Sequence, residues 1–207
     1  MLRSLAVPFP HDAAVQDALA EAEFDACDVD DASEPACYAR AEAAADRAIA
    51  ADPKSIHALD YKSMAQLAAL KHGKVTDAAK WASARRWFLA ANHIDPEAPQ
   101  PLIGFYRSFV DAGVAPSKSA QAGLVYAYAL APYDGELRVE ASQVLLEQGK
   151  TAEARIALAP VAYNAEDPKR AERTQKVLAK INSGDMAGAL AEIERAAKEN
   201  EDEKKKS

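Results

Sequence analysis

Small and apolar residues recur at intervals of four and then three along this chain, and the pattern restarts after each of several prolines. Ala41, Ala45 and Ala48 precede Pro53; Ala84, Phe88 and Ala91 precede Pro96; Ala120, Leu124 and Ala127 precede Pro132. Ala154, Leu158 and Val161 repeat the three positions with Pro168 two residues late, and Ala189, Ile193 and Ala196 repeat them once more. Residues at i, i+4 and i+7 share one helix face. Small side chains there let two helices approach closely, and a larger one fills the groove between them. A proline stops one helix and can open the next, because it lacks an N–H donor and fixes φ. Gly149 and Gly184, each five residues before an anchor alanine, fit the tight turn inside a helical hairpin. Gly113 plays this part with two extra residues, and Pro116 then opens the next helix. The pattern predicts helices over 12–26, 37–51, 55–72, 76–93, 98–112, 117–131, 134–148, 151–163, 168–183 and 185–198. Asp12, Ser55, Thr76, Asp134, Thr151 and Asp185 are the expected N-caps. No sustained alternation of β-branched residues competes, so the fold class is all-α.

The anchor alanines 41, 84, 120, 154 and 189 lie 43, 36, 34 and 35 residues apart. This spacing, with its A-x3-small-x2-A-x4-P signature, resembles the tetratricopeptide repeat, a helix-turn-helix unit of about 34 residues. The resemblance implies an α-solenoid of about five hairpins wound into a right-handed superhelix. The first helix of each pair would line the concave face and the second the outer face. The repeat domain is expected over residues 12–198, divided as 12–53, 54–96, 97–132, 133–168 and 169–198. Residues 1–11 read as the end of a preceding helix or a cap, and 199–207 as a disordered tail. Two departures stand out. The stretch from Pro53 to Ala84, around "KHGKVTDAA", is about nine residues too long, which predicts an extra turn on both helices of that hairpin. In the first hairpin eleven residues separate Ala26 from Tyr38, where two would suffice.

Composition narrows the function classes. The net charge is −7, and the longest basic run, Lys204 to Lys206, sits in a tail that also carries Glu199, Glu201, Asp202 and Glu203. A nucleic-acid binder needs a basic stripe, so none is expected as a partner. No apolar run approaches the roughly 18 residues of a membrane span. No G-x-S-x-G, P-loop or G-x-G-x-x-G occurs, and His11, His57, His72 and His93 are scattered without metal-ligand spacing. The expectation is a non-enzyme with no catalytic residues, no cofactor and no metal.

The candidate residues are of two kinds. Tyr61, Lys62, Tyr106, Arg107 and Arg138 fall on the first helices of successive repeats. An aromatic ring beside a cation in a groove is a common anchor for a peptide or carboxylate. Trp81, Ala84, Phe88 and Ala91 should pack between helices, with Trp87 and Arg86 off that stripe and Arg85 on a solvated face. Cys27 and Cys37, the only cysteines, bracket the acidic stretch "CDVDDASEPAC". It lacks the glycine and the ligand spacing of a calcium loop. Two readings stand: a disulfide stapling the two helix ends, and two free, half-buried thiols. A bridge implies an oxidising, periplasmic or extracytoplasmic location; without it the cytoplasm is expected.

The leading expectation is a protein-interaction scaffold that holds an unidentified protein or peptide in its concave groove, as a fragment of a larger protein. Leu2 and Leu5 precede Pro10 as the apolar positions of an earlier repeat would, with Met1 then not the natural start. The runs "LAEAEFDAC" and "RRWFLAANHIDPEAPQPL" look like the C-terminal repeat region of proteobacterial proteins with an upstream peptidase-like domain. The alternative is therefore an accessory or self-assembly module, homo-oligomeric through Leu2, Leu5, Val7 and Phe9.

Overall fold

The computed structural model describes residues 9, 11–29 and 35–204, with side chains at 9, 11–27 and 36–200. Leu2, Leu5, Val7, Pro10, Asp30, Asp31, Glu34, the Asp28 side chain and the Lys205–Lys206 end of the tail lie outside those descriptions. Among the described residues the chain is all-helical. Among the described residues ten helices follow in order: α1 (Ala13–Val29), α2 (Pro35–Ala51), α3 (Ile56–His72), α4 (Ala78–Ile94) and α5 (Pro99–Asp111). Then come α6 (Lys118–Leu130), α7 (Gly135–Glu147), α8 (Thr151–Ala162), α9 (Pro168–Asn182) and α10 (Met186–Lys204). The chain divides into two compact units, Met1–Gly123 and Leu124–Ser207, with the boundary inside α6.

The repeating triplet is the buried face. Ala41, Ala45, Ala48, Ala84, Phe88, Ala91, Ala120, Leu124, Ala127, Ala154, Leu158, Val161, Ala189 and Ile193 are all buried. Ala196, where α10 runs toward the tail, is half-exposed. In the first unit Leu67, Trp81, Ala84 and Phe88 form one core cluster against Met64, Leu70 and Phe105. The hydroxyl of Ser63 on α3 donates to the Ala84 carbonyl on α4 at 2.9 Å, a contact open only to closely approaching helices. In the second unit Leu145, Leu146, Leu158, Val177, Ile181 and Ile193 gather α7 to α10 into one core.

Two turn types alternate. Inside a hairpin the helix ends in a right-handed residue followed by a left-handed one: Gly113 (φ 66°), Gly149 (φ 74°) and Gly184 (φ 82°). The next residue's N–H then reaches back five residues: Val114 to Phe109, Lys150 to Leu145 and Asp185 to Lys180. This is the Schellman closure of a helix C-terminus. The α3–α4 turn has the same bonds, Val75 N–H to the Leu70 carbonyl, but its left-handed residue is Lys74 (φ 49°). Gly73 sits one place early, in a right-handed conformation that any residue adopts. Left-handed backbone costs a non-glycine residue about 1–2 kcal/mol. Lys74→Gly is therefore expected to stabilise the protein by roughly 0.5–1 kcal/mol after the added flexibility of the unfolded chain. A small rise in thermal midpoint checks it; a fall would refute the strain.

Between hairpins the chain makes a short turn, four residues long before α3, α5 and α7 and five before α9, whose last residue is the N-cap position of the next helix. Ser55, Ala98, Asp134 and Asp167 occupy that last position. In this register Ala165 stands where Pro53, Pro96 and Pro132 stand. Pro168 is instead the first residue of α9, where its missing N–H has no intrahelical partner to lose. Asp12, Ser55, Asp134 and Asp185 cap their helices as expected. Asp77, not Thr76, caps α4, its carboxylate accepting from the Ala79 N–H at 2.9 Å. A charged acceptor outcompetes a neighbouring hydroxyl for that donor. Thr151 is already inside α8 and turns its hydroxyl toward the Met186 sulfur. The helices α3 and α4 have 17 residues each against 13 in α5 and α6, the extra turn expected of that hairpin.

Candidate functional site

The expected pairing of Tyr61 with Lys62 does not form one site. Successive residues on a helix point about 100° apart, and the two side chains enter different surroundings. Lys62 is only 13% exposed and ion-pairs with Asp46 on α2. Its ammonium also lies 4.0 Å from the centre of the Trp87 ring on α4. The Trp87 indole N–H donates to the Gln66 side-chain oxygen, and Gln66 donates to Glu42. Glu42 and Asp46 on α2 thus face Lys62 and Gln66 on α3, two i, i+4 pairs in register. Arg86 covers Trp87 at 4.5 Å. Lys62 and Trp87 fasten α2, α3 and α4 together.

Tyr61 faces α1. Its ring packs 6.0 Å from Phe24, and its hydroxyl hydrogen-bonds to Glu21. Burial, then the charges of Glu21, Asp25 and Asp60, push its pKa up to about 12. Asp17, Glu21 and Asp25 recur every fourth residue on α1, so they share one face. That stripe was readable in the sequence and belongs with Tyr61. Asp17 accepts from the Ser55 hydroxyl at 2.8 Å through one oxygen, while its other oxygen is buried without a partner. Burial raises the Asp17 pKa despite that bond. The Tyr61 environment is acidic, which disfavours a carboxylate ligand and favours a cation.

Tyr106 is 6% exposed. It is core rather than an open contact surface, and Arg107 beside it on α5 is half-buried. Arg85, expected on a solvated face, is buried at 8% exposure. It donates to the Ser108 hydroxyl (2.8 Å) and carbonyl (2.9 Å), and its guanidinium lies 3.9 Å from the Phe109 ring centre. An arginine can enter such a place because its planar, weakly hydrated head stacks on a ring while its edges donate. Burial lowers its pKa.

Arg138, on α7 in the second unit, bonds to the turn before α7 and to the body of α8. It donates to the Pro132 carbonyl in the preceding turn and to the Ala157 carbonyl of α8 at 2.9 Å. Gln175 donates to the Ala162 carbonyl at 2.8 Å, so α8 receives side-chain donors from both α7 and α9, from α9 at its C-terminal end. Among the described residues, no group of three or more His, Cys, Asp or Glu is placed to hold a metal ion.

Cys27 and Cys37 are at disulfide distance, with sulfurs 2.08 Å and Cα atoms 5.7 Å apart. Both are buried with Tyr38 against Phe24, Ala68 and Ala69. Tyr38 in turn shares a hydrogen bond with His72 Nε2 at 2.9 Å. The bridge joins α1 to α2 across ten positions of sequence. Loop-closure entropy for that separation is worth about 2–3 kcal/mol. Cys27→Ser with Cys37→Ser is expected to lower unfolding free energy by about that amount. Denaturant titration with and without reductant checks it; two free thiols in the untreated native protein would refute the bridge.

No protein-family model matches the chain, and no curated protein matches it in sequence.

Proposed function

We propose that the chain is a tetratricopeptide-like α-solenoid that acts as a protein-binding module, and that the α1–α3 face of its first unit takes a segment bearing lysine or arginine. The observation that carries this reading is the surroundings of Tyr61: Phe24 supplies an aromatic neighbour, and Glu21 and Asp25 supply negative charge. An aromatic ring beside carboxylates offers a cation both a π face and ionic partners. The five-fold recurrence of the triplet, buried at every position but Ala196, and the alternation of two turn types support the repeat assignment. The Cys27–Cys37 geometry supports residence in an oxidising compartment. The missing catalytic motif supports a role in which any chemistry belongs to a partner or to another domain of a larger protein.

The test is calorimetric titration of the whole chain with an acetylated octapeptide alternating lysine and alanine. Binding that weakens with added salt, and weakens at least about tenfold in Glu21→Gln/Asp25→Asn, is the expected result. Equal affinity in that variant, or no binding at millimolar peptide, defeats the reading.

A further inference from the structure

The second unit holds a cleft of about 370 Å³ where the α6–α7 turn meets the end of α8 and the start of α9. Pro132, Tyr133, Pro160 and Val161 line it together with Arg138 of α7 and Arg170 of α9. Gly135 is also part of the lining. A Cβ there would stand 3.2 Å from Arg170 Nη1 and 3.9 Å from Val161, so the missing side chain lets the guanidinium settle against the backbone.

The donors of this cleft are only partly used. Arg138 spends Nε and Nη1 on two carbonyls, which fixes the plane of its guanidinium and leaves Nη2. Arg170 pairs through Nε with Asp167 Oδ2 at 3.3 Å. The other Asp167 oxygen accepts the Arg170 backbone N–H. No described residue takes the two terminal nitrogens of Arg170. Two guanidiniums against one carboxylate make the lining net positive, in a chain of net charge −7. At the mouth, Tyr133 is 97% exposed. A tyrosine ring standing almost wholly in water offers apolar contact area that nothing in its own unit uses.

We propose that this cleft binds an extended acidic peptide segment, with one side-chain carboxylate held between Arg170 and Arg138 and a neighbouring apolar side chain lying on Tyr133 and Pro160. Guanidinium edges match the two oxygens of a carboxylate. A phosphate dianion fits worse, because Asp167 sits beside Arg170 and repels a second negative charge. The volume falls in the range of sites that enclose a few side chains. The cleft lies wholly within the second unit, so the inference stands apart from the cation-binding face of α1 and α3.

The probe is acetyl-Leu-Asp-Leu-amide, compared with its Leu-Asn-Leu twin and with acetyl-aspartate methylamide, followed by NMR of the arginine Nε–H groups in the whole chain. The aspartate peptide should shift the Arg138 and Arg170 signals and bind at least tenfold more tightly than the asparagine twin. Arg170→Gln should remove that difference, and Tyr133→Ala should weaken the peptide several-fold while leaving acetyl-aspartate methylamide unchanged. Arg155→Gln, an exposed cation outside the cleft, should change nothing. Equal binding of the two peptides, or equal loss in Arg155→Gln, overturns the carboxylate site. Binding of acetyl-aspartate methylamide as tight as the peptide overturns the peptide assignment in favour of a bare anion site.

Discussion

Phe88→Ala is expected to destabilise the first unit by about 3–5 kcal/mol, the usual range for emptying a buried phenylalanine site. The ring is buried in the cluster of Leu67, Trp81 and Ala84. It also lies directly on Gly104 of α5, where a Cβ would stand only 2.4 Å from the ring carbon Cζ and 2.6 Å from Cε1. No side chain of any kind fits there while the ring stays in place. Gly104→Ala is a gain of about 1 kcal/mol in helix propensity at an exposed site. Here the overpacking cost of about 1–3 kcal/mol opposes it and wins. The two residues must therefore couple. Phe88→Leu on the Gly104→Ala background should recover part of the loss, because the smaller side chain leaves room for the methyl group. Urea unfolding of the two single variants and the double variant closes the cycle. Strict additivity would mean that the ring and the glycine do not share space.

Gly104 illustrates what the sequence could and could not reveal. The triplet containing Phe88 was legible because helical periodicity repeats five times over. A glycine inside α5 looks like a weakness by propensity alone, and only the position of the ring explains it. The turns were legible at Gly113, Gly149 and Gly184, where left-handed backbone selects glycine. The same turn at Lys74 was not, because there the glycine sits one residue away. Arg85 was misjudged for a related reason. Charge predicts exposure only until a ring and two oxygen acceptors replace water, and Phe109 and Ser108 come from another helix. Tyr61 and Lys62 are neighbours in sequence and strangers in space, since α1 claims one and α2 with α4 the other. The α1 stripe of Asp17, Glu21 and Asp25 stands in the sequence at a spacing of four. Its link to Tyr61 needed the contact of α1 with α3, which no local signal encodes.

Between pH 5 and 8 the protein is expected to lose stability as the pH rises, and Asp60 is the main reason. Burial pushes its pKa up from 3.8 to about 7. One of its oxygens is buried without a hydrogen-bond partner. Below the ordinary value the carboxyl is protonated in both states, and folding carries no charge penalty. Between that value and about 7 the unfolded chain ionises while the folded one stays neutral, so each unit of pH costs stability. Above about 7 the penalty is complete. A gap of about three units corresponds to roughly 4 kcal/mol as an upper scale. Asp17, raised in the same direction, adds to the slope. Asp185 and Glu172 have lowered values and act only at more acid pH, below this window. Asp60→Asn has the same shape and cannot ionise. It should flatten the profile, already exceed the wild type at pH 5 and exceed it by more at pH 8. Urea midpoints for both proteins across that range decide the matter. An unchanged slope in Asp60→Asn would mean that the buried carboxyl is not the group responsible, and would leave Asp17, the other raised carboxyl, to account for it.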